Sequence, residues 1–204
     1  MLAASGLECV RGERTLFSGL SFAVAPGAGL LVQGANGAGK TSLLRIAVGL
    51  APPAQGHVTW DGRPIRTLGE AYRREVLYCG HPNALKDDLS AVENVRAAAA
   101  LAGRSITTAA ARGALAQVGV AAAAELPVRS LSQGQKRRAA LARLALDGAR
   151  LWVLDEPLAA LDVGGAEWLA AAIDAHLAAG GMALVTSHQS LATRGALATL
   201  KLGA

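Results

Sequence analysis

Aromatic residues are scarce in this sequence, at 3% of 204 residues against 52% hydrophobic residues overall. Much of the apolar content is Ala, so the mean hydropathy of +0.33 reflects helix-forming Ala rather than a membrane segment. No apolar stretch free of charge reaches the ~18 residues that a spanning helix needs. The N-terminus, "MLAASGLECVRGER", lacks a basic start followed by a long apolar run, so no signal peptide is expected. Cysteine is nearly absent. Cys9 and Cys79 lie far apart, without CxxC or a nearby metal-like cluster. They read as two reduced thiols of a cytosolic protein, not as a disulfide. Acidic residues are also few, 15 against 20 basic ones, and the net charge of +5 comes mainly from Arg. Nucleic acid, a phosphate ligand and acidic lipid all fit that sign, and charge alone does not choose among them.

What is present is an alternation of strands and helices. "GLECV" (6–10) and "LSFAV" (20–24) alternate weakly between turn residues. "AGLLVQ" (28–33) is an almost continuous apolar run, the pattern of a strand buried on both faces. A helix is predicted over "KTSLLRIAVGL" (40–50), with Leu43, Leu44, Ile46 and Ala47 inward, then a hairpin over 54–65 around Asp61-Gly62. Residues 90 to about 148 read as three Ala-rich helical segments, "AVENVRAAAALAG", "TTAAARGALAQVG" and "QGQKRRAALARLALDG". A strand at 150–156, a helix at about 165–179, a strand at 181–188 and a last helix and strand complete the chain. The expectation is one α/β domain, with a core at about 1–81 and 149–204 and an inserted helical subdomain at about 82–148.

Three stretches carry chemistry. "GANGAGKT" (34–41) fits G-x-x-x-x-G-K-[ST] between an apolar strand and a helix. Its glycines let successive N–H groups of Gly34, Ala35, Asn36, Gly37, Ala38 and Gly39 curl around a phosphate, and the helix start at Lys40, Thr41 and Ser42 adds its positive dipole end. Lys40 reaches the β- and γ-phosphates, and the Thr41 hydroxyl serves Mg²⁺. "LWVLDE" (151–156) is a buried strand ending in two carboxylates, Asp155 for the Mg²⁺ shell and Glu156 to polarise the attacking water. "LSQGQ" (131–135) puts Ser132 and Gly134 at a second helix start, which reads either as an anion-binding end or as an ordinary Ser cap.

In this order the three stretches resemble the ATP-binding-cassette (ABC) ATPases over nearly the whole chain. "AALD" (159–162) is similar to the loop that follows the acidic strand in that family, and "VTSHQ" (185–189) to its switch histidine. The resemblance implies a P-loop NTPase core, a mixed sheet flanked by helices with an N-terminal antiparallel part, and an inserted helical subdomain. It implies an ATPase using ATP and Mg²⁺, and a head-to-tail homodimer with two ATPs between its chains. Each ATP would lie on one phosphate loop and under Ser132, Gly134 and Gln135 of the other chain. Glu156 would act on water, His188 would reach the γ-phosphate, and Asp162 would communicate across the dimer.

Two positions depart from the family pattern. The place of the aromatic that stacks on adenine falls on Arg11, whose guanidinium plane can also stack. The place of a Gln near Mg²⁺ and water falls on His81, in "YCGHPNALKDDLSAVENV" (78–95). That stretch, with "LWVLDEPLAALD" and "SHQ", resembles the ATP-binding subunits of the haem exporter of bacterial cytochrome c maturation. This places His81 beside the γ-phosphate and metal, and residues 82–95 toward integral membrane partners, on the cytoplasmic side of the inner membrane. A haem-ligating role for His81 is rejected, because the residue is occupied near nucleotide. The alternatives are an ABC ATPase for another cargo, a nucleic-acid-associated ABC protein and a regulatory module without turnover. Against nucleic acid, the Arg residues are spread rather than striped and no coiled-coil insertion is present. Against the regulatory module, both Asp155 and Glu156 are retained.

Overall fold

The computed structural model describes residues 1–146, 148–195 and 197–203. Asp147, within the third expected helical segment, and Ala196 and Ala204, within the expected C-terminal elements, lie outside the described residues. The chain runs β1 (Leu2–Arg11), β2 (Arg14–Val24), β3 (Gly29–Gln33), α1 (Lys40–Ala47), β4 (Gln55–Trp60), β5 (Arg63–Pro64), α2 (Ile65–Leu68), α3 (Glu70–Arg74) and β6 (Val76–Cys79). It continues with α4 (Ala91–Leu101), α5 (Thr108–Gln117), α6 (Gln133–Leu141), β7 (Leu151–Asp155), α7 (Val163–Ala178), β8 (Met182–Thr186) and β9 (Ala198–Lys201).

The strands form two sheets. β2-β1-β4-β5 is antiparallel and β6-β7-β8-β3-β9 is parallel. Every residue of β7 and β8 is buried, as a strand covered on both faces requires. The register sets Asp155 opposite Thr186, and Thr186 opposite Val32. The carboxyl ends of β3, β6, β7 and β8 therefore open on one edge, where ligands of parallel sheets bind. One apolar cluster fills the space between the two sheets and α1, where Leu43, Leu44, Ile46 and Ala47 point inward. A second lies on the opposite side of the parallel sheet, under α7.

The helical stretch has its own cluster of small side chains, among them Ala91, Val92, Val95, Ala111, Ala114 and Leu115. Trp168 of α7 packs against both this cluster and the sheet-side one. Ser90 and Glu93 close a capping box on α4, with bonds of 3.1 and 2.7 Å. Asn94 fixes the turn before it, accepting from Lys86 N at 2.7 Å and donating to Lys86 O and Ser90 O at 3.0 Å. The acidic pair ahead of α4 is engaged within the chain: Asp88 with Arg129 at 2.6 Å and Asp87 with Lys136 at 3.4 Å.

Two expectations change. The third helical segment ends as α-helix at Leu141 and continues as a 3-10 turn over Ala142–Ala145. The last helix, expected after β8, is absent among the described residues. Backbone donors there are satisfied otherwise: Gln189 N by the Ser187 hydroxyl at 3.0 Å, and Arg194 N by the Asp174 carboxylate at 2.9 Å.

Candidate active site

The loop from Gly34 to Gly39 joins β3 to α1. Gly39 caps α1 at φ 98°, and no side chain bonds the first amides of the helix. Those N–H groups keep their donors free for an anion. A Cβ at Gly39 would stand 3.1 Å from Leu16 and Phe17, so this position requires glycine on two counts. Lys40 is 8% exposed. Its ammonium donates to Gly34 O at 2.9 Å and Ala35 O at 3.3 Å, and lies 3.0 Å from His188 Nε2. Thr41 Oγ1 donates to Asp155 Oδ2 at 2.8 Å.

A hydroxyl that the sequence did not single out organises the end of β7. Thr186 Oγ1 donates to Asp155 Oδ1 and accepts from Glu156 N, both at 2.8 Å. It fixes Asp155 from the side opposite Thr41 and orients the backbone of Glu156. The register pair with Asp155 explains how β8 delivers it. A Thr ending an apolar run, just before His188, is the signal that marks it in the sequence. Glu156 stands at φ 47°, a left-handed conformation that costs an L-residue about 1–2 kcal/mol. Its Oε2 accepts from His188 N at 3.2 Å. Its Oε1 is buried, forms no hydrogen bond and lies 3.4 Å from His188 Nε2. Lys40, His188 and Glu156 thus form a chain of polar contacts across the end of the phosphate loop.

A cleft of about 540 Å³ gathers Asn36, Gly37, Gly39, Lys40, Thr41 and Ser42 with His81, Asp155, Glu156 and His188. Gly34, Ala35 and Ala38 shape the loop behind it. Arg11 does not line this cleft. It is exposed at the β1–β2 turn, paired in register with Arg14, and the residue that β2 sends to the cleft wall is Leu16. A larger cavity of about 1120 Å³ beside α7 contains none of the expected site residues. Thr41 and Asp155 present a hydroxyl and a carboxylate side by side, the hard oxygen donors that suit Mg²⁺. Among the described residues, no three or more His, Cys, Asp or Glu side chains converge as a metal cluster.

Ser132, Gly134 and Gln135, of the "LSQGQ" stretch that resembles the ABC signature, lie outside the cleft. Ser132 Oγ accepts from Gln135 N at 3.2 Å, and Gln135 Oε1 accepts from Ser132 N at 2.9 Å, a complete capping box on α6. A Cβ on Gly134 would come 3.0 Å from Ala160 O, so α6 approaches the loop after β7 closely. Asp162 caps α7, with Oδ1 accepting from Gly165 N at 2.9 Å, and pairs with Arg138. The Gly165 N–H, and then Arg138, hold its carboxyl below the ordinary range.

The ABC transporter family matches residues 17–159. The cytochrome c biogenesis ATP-binding export protein CcmA of Dechloromonas aromatica is 50% identical over 204 residues, and the protein of that name from Pseudomonas aeruginosa is 52% identical, each match covering both chains entirely. An ABC transporter ATP-binding protein from Pyrococcus furiosus superposes with a TM-score of 0.85 at 24% identity, covering 98% of this chain and 96% of that one. A dimeric ATP-binding cassette in a post-hydrolysis state, bound to ADP and Pi, gives 0.81 at 22% identity, covering 93% and 88%. These two establish the fold, a P-loop ABC cassette. The chain belongs to the ABC transporter family and, by identity along its full length, to the CcmA cytochrome c biogenesis export proteins.

Proposed function

We propose that the chain is the ATP-hydrolysing subunit of a membrane ABC complex of cytochrome c maturation. The observation that carries the reading is the convergence of the uncapped α1 start, Lys40, Thr41, Asp155, Glu156 and His188 on one cleft. The loop amides and the Lys40 ammonium hold the β- and γ-phosphates of ATP. Thr41 and Asp155 would hold Mg²⁺, which would supply charge neutralisation when bound. The Glu156 carboxylate accepts a proton from water as the water oxygen bonds to Pγ. The bond from Pγ to the β–γ bridging oxygen breaks, leaving ADP and phosphate. His188 contacts the γ-phosphate from beside Lys40, and His81 closes the same end of the cleft. Mg²⁺ prefers oxygen ligands, so His81 serves phosphate or water in this reading. Arg11, at the β1–β2 turn, is assigned the stacking of its guanidinium plane on the base.

The reading extends to assembly. Two chains close head to tail, with Ser132, Gly134 and Gln135 of each facing the ATP of the other, and Asp162 at the seam. The division into a core at about 1–81 and 149–204 and a helical subdomain at about 82–148 lets the signature move relative to the phosphate loop. Among the described residues no helix is long and apolar enough to cross a membrane. The reading assigns that passage to integral membrane subunits, with this chain on the cytoplasmic face of the bacterial inner membrane. Hydrolysis is then tied to release of a haem-loaded chaperone.

The test is Glu156→Gln. Turnover should fall by on the order of 10²-fold or more with ATP still bound, and the chain should run as a dimer on gel filtration with ATP. In a host lacking the gene, wild type should restore covalent haem in c-type cytochromes and Glu156→Gln should not. Unchanged c-type haem in the deleted host rejects the cytochrome assignment and leaves the ATPase intact.

A further inference from the structure

One turn into α6, behind the Ser132 cap, stands a buried arginine. Arg137 is 3% exposed. Its guanidinium carries five N–H donors, and five neutral acceptors meet it. Nε donates to Pro157 O at 3.2 Å. Nη1 donates to Gly80 O and Asn83 Oδ1, both at 3.2 Å. Nη2 donates to Asp155 O at 3.0 Å and Glu156 O at 2.7 Å. Desolvation pulls its pKa below the ordinary value, and Cys79, Asp155 and Glu156 act in the opposite direction. An arginine remains a cation under such a shift.

Three of these carbonyls, at 155, 156 and 157, are consecutive. The turn that aims Glu156 is folded around a single planar group, and the Glu156 backbone at φ 47° needs surrounding structure to hold it. The remaining acceptors flank His81 in sequence. One side chain of α6 thus fixes both loops that bring Glu156 and His81 to the cleft.

We infer that Arg137 is a positioning residue for hydrolysis, tying the aim of the Glu156 carboxylate to the placement of the Ser132 end of α6. Among the described residues its hydrogen bonds reach no phosphate-loop residue, so its loss acts on the chemical step and spares nucleotide affinity. A merely structural arginine would lower both together, and its loss would not depend on the residue at 156. The inference rests on the ATPase reading above.

Arg137→Lys keeps the charge but offers three donors and no planar fork. Nucleotide affinity and single-turnover phosphate release are measured on the full-length chain as wild type, Arg137→Lys, Glu156→Gln and the double variant. Arg137→Lys should slow release by about 10-fold or more, with Kd within about 3-fold. The double variant should be no more than about 2-fold slower than Glu156→Gln alone. Asn83→Ala removes one acceptor at a half-buried position and should slow release less, with the loss again vanishing in Glu156→Gln. If Arg137→Lys does not fold, the Asn83→Ala pair decides. Unchanged release, losses that multiply with Glu156→Gln, or nucleotide affinity and rate falling together overturn the inference. A wild-type chain that never hydrolyses ATP overturns the ATPase reading itself, whereas an active wild type with any of those results overturns this inference alone.

Discussion

α1 and α6 begin in opposite ways. α1 starts at Gly39, in a left-handed conformation, with no side chain over its first amides. α6 starts at Ser132, and its capping box already bonds the Ser132 and Gln135 amides. The first start is unfinished without an anion, and the second is complete within its own chain. A helix start that leaves its donors unpaired is preorganised for a ligand and gives up stability for it. A capped start is stable alone, and binding phosphate means sharing or exchanging that cap. The difference matches the proposed division of labour: the phosphate loop binds in its own chain, and the signature engages only when a second chain arrives.

Four substitutions break or sharpen that contrast. Lys40→Ala should have the largest effect, a loss of turnover on the order of 10²- to 10³-fold with weaker ATP binding, read by phosphate release and equilibrium titration. Normal hydrolysis would refute the role of the α1 start. Ser132→Arg should remove turnover while leaving ATP affinity within about 3-fold, because the signature acts on the other chain's nucleotide. Mixing it with Lys40→Ala should recover part of the activity, since one composite site is then intact. No recovery counts against the head-to-tail arrangement. Gly39→Ala should cost about 1–3 kcal/mol in a denaturant titration, from the left-handed backbone and the crowding of Leu16 and Phe17. An unchanged midpoint would mean that the loop relaxes freely. Ser132→Ala is the smallest, about 1 kcal/mol of stability for the lost cap, and a null result there would show that the box contributes nothing in solution.

Much of the site was legible because its residues are contiguous. The loop, the acidic strand end, the signature and the switch histidine each state their chemistry in a few adjacent letters. The buried strands were equally plain, since "LLV", "LWVL" and "ALV" have no polar alternation. What the sequence hid depends on long-range pairing. Thr186 matters through its register with Asp155, and Arg137 through carbonyls on two other segments. Arg11, the place counted for the base, stands at the β1–β2 turn and is not among the residues that line the cleft, where Leu16 is. Among the described residues no helix follows β8, and the Asp174 carboxylate of α7 accepts from the Arg194 and Gly195 amides there.

Glu156 combines a left-handed backbone with a buried, unbonded carboxylate oxygen. Both features oppose folding, and in the proposed function both belong to the residue that acts on water at the cleft. Glycine at this position would relieve the backbone and remove the orphaned oxygen, so such a chain should melt at a higher temperature and hydrolyse nothing. Selection for thermal endurance alone would therefore remove this side chain first, and its presence records selection for work rather than for durability.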